Sequence, residues 1–160
     1  MKRSISGIFR TFRTFRTFRT LPLLTVLLLA GCIRQSASYY IDGANHSLTV
    51  RAEQAYFWND DVVVKLVAAH MPGCQRLFPM TTLPAAGVEI ALYAGGDDVY
   101  SVRVGAQVMR VETENCTRLT EPTQEELGER LGTFRLNGEN KMVFEQSAAA
   151  AAGPAASAGQ

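Results

Sequence analysis

Two histidines, two cysteines beyond residue 32, two aspartate pairs and one aromatic triplet are the side chains of this 160-residue chain whose types suit chemistry. His46 and His70 are candidate general bases. A base needs a nucleophile to activate, and no Gly-x-Ser-x-Gly elbow or comparable motif accompanies either histidine. Cys74 and Cys116 could join a histidine at a metal, but the tight Cys-x-x-Cys or His-x-x-x-His spacing of zinc sites is missing. Asp60-Asp61 and Asp97-Asp98 offer hard oxygen ligands of the kind calcium prefers. Both pairs fall where turns are expected, and aspartate is favoured there because it bonds to its own backbone. No catalytic residue, metal ligand or cofactor is therefore assigned. At strand spacing the triplet Tyr56-Phe57-Trp58 reads as core with one ring exposed. Together with Arg76 it supplies the candidate binding residues, since aromatic and arginine side chains anchor interfaces.

The N-terminal fifth is organised differently. Residues 1–20 carry Lys2, Arg3, Arg10, Arg13, Arg16 and Arg19 with no acid, and include the repeat Arg10-Thr-Phe, Arg13-Thr-Phe, Arg16-Thr-Phe. The apolar run from Leu21 to Ala30 has the length of a secretory core and is too short for a membrane span, which takes about 20 residues. The run closes on Leu29-Ala30-Gly31-Cys32, an aliphatic residue, two small ones and a cysteine. This resembles the lipobox of bacterial lipoproteins over residues 1–32. The resemblance implies cleavage before Cys32 and lipidation of that cysteine, so the basic repeat leaves with residues 1–31. Ile33 stands where an aspartate is associated with inner-membrane retention, so the resemblance implies the outer membrane, facing the periplasm. The domain that follows resembles no family.

Export frames the remaining readings. Cys74 and Cys116 form a pair in a protein bound for an oxidising space, so a disulfide closing about 42 residues is expected, with a metal site as the competing use. Six of the 16 basic residues lie in the leader, which leaves 10 against 15 acidic ones, a balance of −5. Nucleic acid is thereby excluded as a partner, because phosphate binding needs a cationic face. The expected partners are the membrane, through the lipid anchor, and an envelope protein or cell-wall component. The 129 residues from Cys32 onward suffice for one core.

The elements that must position these residues read as mainly β: an antiparallel sandwich or partial barrel with one short helix near residues 123–131. Residues 32–38 form a tether, 39–146 the β-rich domain, and 147–160 an Ala/Gly-rich disordered tail. Tyr39–Ile41 is a brief strand closed by Asp42-Gly43. The alternation Leu48, Val50, Ala52, Gln54, Tyr56, Trp58 marks a half-buried strand, paired through an Asn59-Asp60-Asp61 turn with the more central Val62–Val67 run. From His70 to Gly87, Pro72, Pro79 and Pro84 indicate a loop. Val88 to Ala94 and Tyr100 to Val104 flank a Gly95-Gly96-Asp97-Asp98 turn, and a phase slip near Gly105 indicates a bulge. Thr123 and Glu126 make a capping box, with Gly132 closing the helix. Phe134 to Phe144 forms a last hairpin. The leading expectation is a non-enzymatic binding or accessory module. The alternative is an envelope hydrolase in which His46 or His70 meets an acid or serine in a cleft.

Overall fold

A computed structural model describes residues 34–56, 58–120 and 127–151. Among the described residues ten strands form two antiparallel sheets. The first holds β1 (Arg34–Asp42), β2 (His46–Gln54), β3 (Asp61–His70) and β4 (Cys74–Pro84) in sequence order. The second holds β5 (Glu89–Gly96), β6 (Val99–Val104), β7 (Gln107–Glu112), β8 (Thr117–Leu119), β9 (Glu129–Leu136) and β10 (Met142–Gln146), in the order β10-β9-β5-β6-β7-β8. The two sheets are separate and pool their buried residues in one core, so the arrangement is a sandwich, and no closed barrel forms. Among the described residues the lone α-helix is α1 (Ala148–Ala151), and no helix is long and apolar enough to cross a membrane.

Side-chain alternation builds the core directly. Leu48, Val50 and Ala52 of β2 lie beside Ala68, Leu66 and Val64 of β3 in register, and all six are fully buried. Ile90 and Leu92, Val102, Val111 and Phe134 supply the facing layer from the second sheet. Lys65, the one charge within the β3 run, faces outward and bonds Glu53 at 2.6 Å, which holds the Glu53 carboxyl below its ordinary range. Along one side Tyr39 of β1 packs on Phe144 of β10 at 5.3 Å and on Tyr100 at 6.3 Å. Burial pushes the Tyr100 phenol up to about 12, with Tyr39 and Asp98 adding to the shift.

Several elements differ from the sequence expectation for identifiable reasons. Residues 34–38 belong to β1, although 32–38 reads as a tether. Their short polar side chains suit the solvated face of an edge strand: Ser38 shares a 2.7 Å hydrogen bond with Thr49, while Ala37 and Tyr39 turn inward. Most of the expected 70–87 loop is β4. It runs at a sheet edge, and Pro79 sits beside a bulge that leaves Met80 without a partner on β3, both places where a missing N–H is tolerated. Only the 71–73 turn and a 3₁₀ turn at Ala85–Gly87 remain outside strands there. The phase slip at Gly105 is a two-residue turn, since Val104 pairs with Gln107. The Asp97-Asp98 turn has positive φ at both aspartates, as a type I′ hairpin requires.

The expected helix over 123–131 is absent from its described part. Gly128 has a φ of +83° and β9 starts at Glu129. The capping-box residues Thr123 and Glu126 lie outside the described residues. Leu127, Ala91 and Tyr93 instead form a small buried cluster on the outer face of the second sheet. In the expected tail, Ser147 donates to the Arg130 carbonyl at 2.6 Å and accepts from Ala150 N–H at 3.2 Å. That contact starts α1 in residues whose alanine content favours a helix. Residues 152–160 of the tail lie outside the described part.

Two glycines are obligatory. A Cβ on Gly128 would overlap the Ala94 carbonyl, and one on Gly132 would overlap the Phe144 ring and the Glu145 carbonyl. Gly128→Ala also forces an alanine into left-handed backbone, so it should cost more than about 2 kcal/mol. Gly138→Ala, where a Cβ meets nothing, should change stability little. Denaturant unfolding of the two variants tests this, and equal stability would contradict it.

Candidate functional site

The β2–β3 register brings together two residues that the sequence leaves 24 positions apart. His46 opens β2, His70 ends β3, and they pair directly, with rings stacked at 4.2 Å and 15°. Opposite them the turn between β7 and β8 contributes Thr113. Its hydroxyl donates to the Asp98 carbonyl at 3.1 Å, which commits its only proton. It therefore accepts the 2.8 Å bond from His46, and the His46 proton sits on Nε2. By the same reasoning His70 carries its proton on Nδ1, which faces the Glu114 carbonyl at 3.3 Å. Among the described residues neither histidine meets a carboxylate.

A hydroxyl bonded to an imidazole nitrogen has the outline of a nucleophile and base, but three features give this pair another role. Thr113 is 0% exposed and His46 only 7% exposed, so no substrate reaches the hydroxyl. The hydroxyl proton is already held by a backbone carbonyl, and Thr113 N–H donates to the same Asp98 oxygen at 2.9 Å. The result is a clasp between the two sheets. Among the described residues no group of three or more His, Cys, Asp or Glu gathers to hold a metal.

Beside the clasp, Cys74 at the start of β4 and Cys116 in the β7–β8 turn stand at disulfide distance, with Cα atoms 5.9 Å apart. The pair crosses from one sheet to the other. Glu112 shapes the turn that presents Cys116, accepting bonds from Glu114 N–H, from Asn115 N–H at 3.1 Å and from the Thr117 hydroxyl at 3.0 Å. Partial burial pushes the Glu112 carboxyl up, but these bonds together outweigh it and leave it below the usual range.

At the other end lies the aromatic segment. The reading of Tyr56-Phe57-Trp58 as core with one exposed ring does not hold, because β2 stops at Gln54. The Gln54 side chain donates to the Asn59 carbonyl, and Asn59 N–H donates to Tyr56 O at 3.1 Å. The Asn59 side chain accepts Asp61 N–H at 3.0 Å, and Asp60 O accepts Ala85 N–H at 2.9 Å. The main chain of Asp60 and Asp61 thus serves the turn. The loop so formed lifts two rings into solvent: Tyr56 is 55% and Trp58 69% exposed, stacked at 5.0 Å and 18°. Phe57 and Cys32 lie outside the described residues. Arg76 is exposed on edge strand β4, opposite Ala68 and away from the aromatic pair. The candidate binding residues therefore fall on two surfaces.

Comparison with protein-family models, curated proteins and solved structures finds no match to this chain. Thr113 is the residue that sequence reasoning missed. A single threonine carries no motif, and the only pointer was Cys116 three positions on, whose pairing with Cys74 would draw the turn toward β3 and β4.

Two outcomes follow. Replacing Cys74 and Cys116 by serine should cost up to about 4 kcal/mol, the loop-closure value for this separation. Unchanged stability in non-reducing denaturant titrations would contradict a bond across the sheets. Glu112→Gln addresses pH. A carboxyl held lower in the folded than in the unfolded chain stabilises above the unfolded value and loses that contribution as pH falls through the folded one. The variant should therefore melt below the parent at neutral pH, and the gap should close in acid. A gap independent of pH would contradict this.

Proposed function

We propose that the chain is a lipoprotein of the bacterial cell envelope, anchored through Cys32 at the outer membrane and facing the periplasm, and that it works as a non-enzymatic binding module. The single observation that carries the binding reading is the exposed Tyr56–Trp58 stack. Large rings held in solvent by a hydrogen-bonded loop have little freedom left to lose, so binding costs them little entropy. The anchor rests on the lipobox, with each buried acyl methylene contributing about 0.8 kcal/mol of membrane affinity. The membrane and an envelope protein or cell-wall component are the partners this reading offers, and Arg76 on the β4 edge gives a second surface apart from the rings.

The hydrolase alternative needs a histidine that meets an acid or a serine in an open cleft. His46 instead holds a buried threonine hydroxyl, and His70 a backbone carbonyl. No observation favours catalysis at either ring.

Complementation of a deletion strain separates the readings. Trp58→Ala should remain folded and exported yet lose function, whereas joint replacement of His46 and His70 by glutamine should retain function wherever the protein still folds. Loss confined to the histidine pair, with folding and export intact, would overturn the binding reading. For the anchor, Cys32→Ser should leave the protein extractable from membranes without detergent. Continued detergent-dependent association would overturn it.

A further inference from the structure

We infer that the partner of the Tyr56–Trp58 loop is the bilayer surface itself, and that this end of the sandwich rests on the membrane. The inference builds on the lipoprotein reading of Cys32 and names the partner of the same aromatic site.

Geometry joins the two features. Arg34 pairs with Glu53, so β1 begins where β2 is about to enter the aromatic loop. Cys32 precedes Arg34 by two residues, a reach of about 7 Å at most. With one residue, Ile33, between Cys32 and the start of β1, acyl chains on Cys32 would bring this end of the domain to the headgroups. Tyrosine and tryptophan are the side chains that settle at that depth, with an apolar body and a polar tip.

Charge follows the same axis. Arg34 and Arg51 flank a shallow hollow of about 360 Å³ near the start of β1, within reach of lipid phosphates. Glu53 in that hollow is taken up by Lys65, and Asp60 and Asp61 are the remaining acids of the loop. The described turns of the opposite end are acidic. Its turns, residues 42–46, 70–74, 96–99 and 112–117, hold Asp42, Asp97, Asp98, Glu112 and Glu114 with no lysine or arginine. The aromatic end is mixed: besides Asp60 and Asp61 it holds Glu89 at the start of β5 and Glu139 paired with Lys141, so an anionic bilayer would disfavour the opposite end more. The nine residues of β1 separate the two ends by about 30 Å, so the histidine and cysteine clasp stands well clear of the surface.

Trp58 is the only tryptophan in the chain, so intrinsic fluorescence reports on this loop alone. The processed, lipidated protein is reconstituted into phosphatidylethanolamine and phosphatidylglycerol vesicles, with or without phosphatidylcholine brominated high on its acyl chains, and attachment is checked by flotation. Relative to the Cys32→Ser protein in buffer, Trp58 emission should shift to shorter wavelength. It should be quenched by the brominated lipid and become about twofold or more less sensitive to acrylamide. A protein carrying Trp58→Phe and Glu114→Trp reports from the opposite end and should show none of these changes. Flotation with Trp58 unquenched and open to acrylamide would overturn the inference while leaving the anchor standing. Equal quenching at both reporters would also overturn it, because the domain would then have no fixed orientation. Failure to float would overturn the lipoprotein reading and this inference with it.

Discussion

Two sheets that share no hydrogen-bonded ladder need something to fix them face to face, and at one end of this sandwich the task falls to a pair of neighbouring contacts. The Cys74–Cys116 pair crosses between the sheets, and beside it His46 donates to Thr113, whose proton is held in turn by Asp98. A single buried hydrogen bond adds about 1 kcal/mol, and a covalent link across this separation several times that. Between them they fix where β3 and β4 sit over β7. The buried aliphatic layers of both sheets then meet in one packing, with the Tyr39–Phe144 contact along β1 and β10.

The clasp also governs what the domain can do. It absorbs both histidines and both cysteines into structure, which removes from chemistry the residues best suited to it. What remains exposed and organised is the aromatic loop at the far end of β2 and β3. Its hydrogen bonds run through Gln54, Asn59 and Asp60, independently of the clasp. The molecule is thus divided lengthwise: one end is closed, acidic and structural, and the other is aromatic and adjoins the start of β1.

Much of this was legible in the sequence. Period-two alternation marked the core strands β2, β5 and β6, a β-branched run marked β3, the Gly95 to Asp98 stretch announced its hairpin, and an isolated cysteine pair pointed to the link between sheets. What misled were residues whose local preference yields to position. Proline reads as a loop former, yet an edge strand with a bulge accommodates Pro79 within β4. The serines read as a tether, yet Ser36 and Ser38 suit the solvated face of β1. Thr123 and Gly132 read as a helix start and stop, but Gly132 lies in β9 under the Phe144 ring, a packing that no local pattern encodes. The aromatic triplet continued the alternation of β2 and so looked like core. The register that ends the strand at Gln54 is set by the loop's own hydrogen bonds, and the same register makes His46 and His70 neighbours.

Hydrogen exchange on the lipidated protein in vesicles, compared with soluble Cys32→Ser protein, tests the lengthwise division most directly. Added protection is expected over residues 55–60 and at the start of β1, with the 42–46, 70–74 and 112–117 turns exchanging alike in both samples. Added protection at those turns, with the aromatic loop unchanged, would contradict it.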